Sequence, residues 1–115
     1  MNFPDAVKSG FENYFNFEGR ARRSEYWWWF LFYIIAYASA IGIDVMLSLG
    51  MLSLVVSLAL MAPSLALGAR RLHDINKSGW WQLLLLIPLI GMIILMVLAA
   101  KQGDASENRF GKPRV

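Results

Sequence analysis

Three long apolar stretches, Tyr26–Leu47, Leu49–Ala69 and Trp80–Ala100, fill most of this chain. At about 1.5 Å of rise per residue, ~20 helical residues cover the ~30 Å hydrocarbon core of a bilayer. Between Tyr26 and Ala69 the only Asp, Glu, Lys, Arg or His is Asp44, and between Trp80 and Ala100 there is none. A soluble domain of 115 residues cannot bury that much apolar side chain. The sequence therefore predicts an all-α polytopic membrane protein of about three transmembrane helices. Residues 1–25 form an interfacial flank, 70–79 a basic loop and 101–115 a polar tail.

Composition agrees with a membrane class, at 57% hydrophobic and 17% charged residues. The three stretches and their flanks consume the whole length, so a single membrane domain is expected and no separate soluble catalytic unit. The chain has no cysteine, which excludes disulfides, thiolate nucleophiles and iron–sulfur ligation. No short apolar core precedes a small-residue cleavage site in the first 25 residues, so no cleavable signal is expected. The net charge of +3, beside so much apolar sequence, favours anionic headgroups over nucleic acid as the partner.

The flank carries helical periodicity. Phe3, Val7, Phe11 and then Tyr14 or Phe15 recur every three or four residues, with Asp5, Lys8, Glu12 and Asn13 between them. This predicts a short amphipathic helix lying at the interface. Arg20, Arg22 and Arg23 follow at the headgroup level. Tyr26, Trp27, Trp28 and Trp29 make an aromatic belt, repeated later by Trp80 and Trp81. Ser24 is placed to cap the first spanning helix, and Glu25 suits the positive end of its dipole.

Gly42 and Gly50 bracket a very short connection, so the first two spans should be antiparallel neighbours. Small residues four apart, such as Ala36 and Ala40 or Ser64 and Gly68, allow close helix approach in lipid. Pro63 and Pro88 should kink the second and third stretches. Pro88 to Gly91 is also compatible with the tip of a re-entrant hairpin. With three crossings, seven Lys and Arg lie on the side of the N-terminus and four in the tail: Lys101, Arg109, Lys112 and Arg114. That count puts the N-terminus in the cytoplasm and the C-terminus opposite. A re-entrant third segment would gather all eleven on one side.

The densest polar cluster is Arg70, Arg71, His73, Asp74, Asn76, Lys77 and Ser78, just before Gly79-Trp80-Trp81. One reading is a solvated loop that orients the protein. A second is a headgroup or acidic-partner site, with Arg forks on phosphate or carboxylate. A third is catalysis with His73 as acid or base and Asp74 as its orienter. Adjacent helical residues point about 100° apart, which disfavours that dyad. One histidine and no cysteine give no metal site. The two basic segments, each followed by a Trp run, are expected on one face, with Glu25 and Asp74 pairing some of the arginines.

These residues resemble a known family. The order FENYFNFEGRARRSEYWWWF from Phe11, Pro63 in the second span, ARRLHDINKSGWWQL from Ala69, LIPLIG from Leu86 and NRFG from Asn108 is similar to the small bacterial inner-membrane proteins of domain of unknown function 805. The ending Gly111-Lys112-Pro113 departs from the Gly-Pro-Asp-Pro-like ending that members often carry. The resemblance implies a multi-pass protein of the bacterial cytoplasmic membrane and transfers no activity.

The functional expectation is a non-enzymatic protein without cofactor. It presents a basic platform of Arg20, Arg22, Arg23, Arg70, Arg71, His73, Asp74, Asn76 and Lys77 to anionic lipid or a protein partner. The alternatives are an oligomeric channel or transport accessory, formed with further copies or another membrane protein, and a membrane enzyme acting on a phosphorylated lipid through His73 and Asp74.

Overall fold

The computed structural model describes residues 2–104 and 106–111. Lys112 and Arg114, part of the charge count above, lie outside them. Regular structure among the described residues is helical, apart from one isolated bridge between Asn108 and Gly111. Helix α1 is Phe3–Glu12, α2 Arg23–Leu47 and α3 Leu52–Asp74. A 3-10 helix, Gly79–Leu86, and α4, Ile90–Ala100, complete the chain.

The helix α1 begins on Asn2, whose side chain accepts from the Asp5 N–H at 3.0 Å. Its buried face is Ala6, Ser9 and Gly10, which are small, so the helix sits close on α2. A Cβ at Gly10 would collide with the Trp29 ring. The aromatic stripe read from the sequence flanks this contact. Phe3 meets Trp28 edge-on at 5.8 Å, and Phe11 meets Trp29 at 5.3 Å and Phe32 at 5.8 Å. The helix is amphipathic, but its closest packing uses residues that a hydrophobic stripe does not single out.

Two helices, α2 and α3, are long and apolar enough to cross a bilayer. The first starts at Arg23, with Arg22 at its cap, so Ser24 lies inside the first turn instead of capping it. The two pack as antiparallel neighbours across a connection of residues 48–51. Ser48 and Gly50 take left-handed φ values of 55° and 72° to make the reversal. Asp44 then closes the joint. Its carboxylate accepts the backbone N–H groups of Leu52 and Ser53, both at 2.8 Å, and so caps α3 from the neighbouring helix. The core around Trp29, Leu60 and Leu67 lies between α1, α2 and α3, with Pro63 buried inside α3.

The third apolar stretch departs from expectation. It is not one helix of twenty-odd residues but two short arms. The 3-10 arm has 8 residues and α4 has 11. At about 2.0 and 1.5 Å per residue each arm is roughly 16 Å long, about half a bilayer core. Between them Leu89 adopts φ 66°, ψ −59°, and the Ile90 N–H donates to the Pro88 carbonyl at 2.8 Å, which is a γ-turn. Proline cannot donate, and here it stops the first arm. A Cβ at Gly91 would strike the Leu84 carbonyl, so only glycine lets the arms lie this close. Both ends return to one place. Gly79 rests on Ala69, and the Ala99 and Lys101 carbonyls meet Arg71. The stretch is a hairpin whose two ends both meet the end of α3.

Because the natural chain lacks cysteine, single cysteines report on this directly. Asn76→Cys before the hairpin and Gln102→Cys after it are expected to be labelled by an impermeant maleimide from the same face of sealed membranes. Labelling from opposite faces would require a third crossing.

Candidate functional site

The segment Ala69 to Asp74 is not a loop. It is the last turn and a half of α3, and it is buried. Arg70 is 1% exposed, Arg71 0%, and His73 and Asp74 8% each. A helix sends successive side chains about 100° apart, so Arg70 and His73 diverge from each other and from Arg71 and Asp74, which lie three residues apart and bond each other. The ARRLHD sequence thus makes the end of α3 a hub, with a different polar contact on each side.

Asp74 holds two arginines. Its Oδ1 accepts from Arg20 Nε at 2.8 Å and its Oδ2 from Arg71 Nη1 at 2.6 Å. The remaining guanidinium N–H groups find backbone carbonyls. Arg71 donates to Ala99 at 2.9 Å, to Ala21 at 3.1 Å and to Lys101. Arg20 donates to the carbonyls of Asp74 at 3.2 Å, Asp104 at 2.5 Å, Ser106 at 2.9 Å and Gly111 at 3.1 Å. All five of its N–H groups are used. One carboxylate cannot neutralise two cations, and the ring of carbonyl dipoles stabilises the surplus charge. The tail backbone closes over this centre. The Asp104 N–H donates to the Asp74 carbonyl at 2.7 Å, and a Cβ at Gly103 would collide with the Asp74 carboxylate.

Arg70 points the other way. Its Nη1 donates to Glu25 Oε2 at 3.3 Å, and the Ser9 hydroxyl donates to the same oxygen at 2.8 Å. This contact joins α1, α2 and α3 at one buried carboxylate, which is 0% exposed. The Arg70 carbonyl accepts from the Ala21 N–H at 3.0 Å, drawing the Gly19–Arg22 segment along α3.

His73 faces a third direction. Its Nδ1 lies 2.8 Å from the Gly19 carbonyl, and its ring stacks on Phe110 at 3.9 Å and 3°. Asn108 donates to the His73 carbonyl at 3.0 Å and to Asp104 Oδ2 at 3.0 Å, while its own Oδ1 accepts from the Phe110 N–H at 2.9 Å. Among the described residues His73 and Asp74 share no hydrogen bond; the imidazole is held by Gly19 and the carboxylate by arginines. The His–Asp dyad entertained from the sequence is therefore not assembled.

The other residues singled out in the sequence divide by exposure. Arg23 and Asn76 are exposed, and Arg22 and Lys77 half-buried. The Lys77 ammonium lies 4.8 Å over the Trp81 ring. Trp28, Trp80 and Trp81 are exposed and Tyr26 and Trp27 half-buried. Trp29 is not an interfacial anchor. It is 3% exposed, and its Nε1 donates to the Ser64 hydroxyl at 3.0 Å across to α3. Sequence reasoning about the site missed Asn108 and Phe110. The NRFG element was visible as a motif, but its partner lies 35 residues away in sequence, and spacing alone does not show that.

Removing Asp74 would leave two buried guanidinium groups without a carboxylate. Breaking a buried pair from one side costs about 3–5 kcal/mol. Removing Lys77 forfeits an exposed cation–π contact of about 0.5–1 kcal/mol. Asp74→Ala is accordingly expected to lower the monodisperse fraction in detergent far more than Lys77→Ala. Equal yields would mean that the Asp74 contacts do not hold the fold.

Known proteins are similar to this chain over most of its length. A family model described as "Protein of unknown function (DUF805)" matches residues 14–112. Inner membrane protein YhaI of Escherichia coli strain K12 is 43% identical over 105 residues, covering 90% of this chain and 89% of that protein. Inner membrane protein YhaH of the same strain is 42% identical over 107 residues, covering 87% and 88%. No solved structure matches the chain. The match takes in Arg20, Glu25, the ARRLHD turn, the hairpin and NRFG, and the chain belongs to the DUF805 family of membrane proteins.

Proposed function

We propose that this all-helical membrane protein is not an enzyme and that it presents a basic, tryptophan-rimmed face to anionic lipid on the cytoplasmic side. The observation that carries the reading is the division of its cations. Arg20, Arg70 and Arg71 are buried and bonded within the protein, so they are not the platform expected from sequence. Arg23, Lys101 and Arg109 are exposed around them. They belong to the same layer: Arg23 reaches the Ala100 carbonyl at 3.4 Å, Arg109 the Asn76 carbonyl at 3.3 Å, and Lys101 follows the hairpin exit.

Exposed Trp28 follows Arg23 along α2, and exposed Trp81 lies under the Lys77 ammonium at 4.8 Å, pairings of tryptophan and cation that suit a membrane interface. A lysine or arginine near an anionic surface contributes about 1 kcal/mol. The hairpin also changes the sidedness argument. With both hairpin ends at the α3 terminus, the described cations of the tail join those near Arg20, and the positive-inside tendency favours the cytoplasm for the whole layer.

The test is lipid-dependent stability. In nanodiscs the full chain should unfold at higher temperature in anionic phosphatidic acid or phosphatidylglycerol than in phosphatidylcholine. The triple variant Arg23→Gln, Lys101→Gln, Arg109→Gln should lose most of that difference while remaining folded in phosphatidylcholine. Equal stability of the natural chain in charged and zwitterionic lipid would contradict the reading.

A further inference from the structure

Beside the hub, between the last turns of α3 and the start of the 3-10 arm, lies a half-open cavity of about 460 Å³. That is within the range of small-ligand pockets, roughly 300–1,000 Å³. Its walls are mostly apolar, from Phe17, Leu65, Ala69, Trp80 and Leu83. Trp80, at 77% exposed, stands at the mouth. Gly79 packs on Ala69, where a Cβ would come within 2.9 Å of the Ala69 Cβ.

Besides the Trp80 indole, three polar side chains line the cavity, and two of them already make hydrogen bonds. Gln82 donates to the Leu65 carbonyl at 3.0 Å, and the Ser78 hydroxyl accepts from the Trp80 N–H at 3.2 Å. The third is His73. A carbonyl only accepts, so the nitrogen facing Gly19 carries the proton, and Nε2 of the neutral ring is an acceptor. The stack on Phe110 fixes the ring plane. Nε2 is turned toward Gly79, 3.8 Å from where a Cβ would stand. The residue is only 8% exposed, and no donor among the described residues reaches Nε2. The acceptor is not sealed in the protein: it opens onto the cavity, where an incoming donor can reach it.

The surroundings select the donor. No carboxylate lines the cavity, and Arg20, Arg71, Lys77 and Arg109 lie within the same layer. An ammonium group would meet repulsion with nothing to offset it. A hydroxyl is a neutral donor, and when carried on an anionic group it suits the positive field. The apolar walls and the Trp80 mouth suit a molecule that continues into lipid tails. We infer that this cavity is a headgroup site for an anionic phospholipid bearing a polyol, whose hydroxyl donates to His73 Nε2. The inference rests on the anionic-lipid reading above and adds to it one atom and one headgroup class.

His73 is the chain's only histidine, so the ring nitrogens of protein labelled with ¹⁵N-histidine are assigned without mutation. The full chain in zwitterionic nanodiscs is titrated with phosphatidylglycerol, with phosphatidic acid of the same acyl chains, with phosphatidylethanolamine, and with soluble glycerol phosphate. Phosphatidylglycerol is expected to move the Nε2 resonance toward a hydrogen-bonded value and leave Nδ1 nearly unchanged. Phosphatidic acid has the charge without the polyol, phosphatidylethanolamine has an ammonium, and glycerol phosphate has no tails; each should leave Nε2 in place. A silent Nε2 with phosphatidylglycerol overturns the site, as does an equal response to phosphatidic acid or phosphatidylethanolamine. An equal response to glycerol phosphate overturns the lipid as its occupant.

A second readout uses variants. His73→Gln can keep an acceptor near the Nε2 position, and His73→Asn keeps a donor near the Nδ1 position without one at Nε2. His73→Gln should retain the preference for phosphatidylglycerol over phosphatidic acid, and His73→Asn should weaken it roughly fivefold. The reverse order would contradict the assignment. The broader reading fails separately, if neither charged lipid stabilises the chain over phosphatidylcholine; this one fails if both do so equally and His73 does not respond.

Discussion

Asp74 gripping Arg20 and Arg71 is the interaction on which the rest of this structure depends. Arg20 belongs to the segment before α2, Arg71 and Asp74 to the end of α3, and their spare N–H groups hold the exit of the hairpin and the tail. The described tail, residues 101–104 and 106–111, has almost no regular structure, and its backbone carbonyls must bond to something. Two guanidinium forks satisfy seven carbonyls around this centre, from Ala21 to Gly111. The tail therefore folds around cations in place of a hydrophobic core.

A membrane makes such a device useful. Lipid tails are as apolar as leucine, so burying the arms of the hairpin against α3 gains little hydrophobic free energy. Van der Waals packing and polar contacts must hold them. The hairpin has close packing at Gly91 and Gly79, a Gln82 contact to the Leu65 carbonyl, and the Arg71 clasp at its exit. Placing the charges at the ends of α2 and α3, in one layer, keeps ionised groups near the headgroups and out of the hydrocarbon. Asp44 applies the same economy at the other end, where a single carboxylate caps α3 and ties it to α2.

The sequence was most legible where a single physical rule dominated. Long uncharged runs can only be helices in lipid, and α2 and α3 follow. The short joint at Gly50 was visible in the same way. The end of α3 was misread because Arg70, Arg71, His73 and Asp74 look like solvated loop residues; each is acceptable in a helix once its partner is known, and the partners lie far away in sequence. The third stretch was ambiguous for a related reason. Its composition suits a span, and only Pro88 and Gly91 hint at the reversal, through a turn and a close approach that periodicity does not encode. Trp29 illustrates the opposite error: in a run of three tryptophans, only packing against Gly10 and Ser64 distinguishes the core residue from the anchors.

The central claim is that the Arg20–Asp74 contact joins separate parts of the chain, beyond satisfying two charges locally. A double-mutant cycle of Arg20→Ala and Asp74→Ala, read from unfolding free energies of the purified chain in one detergent, measures it most directly. The account predicts a coupling energy clearly above the ~0–1 kcal/mol of exposed pairs, with the second substitution costing much less once the first is made. Effects that add within about 0.5 kcal/mol would show the two residues to be independent and would contradict the account.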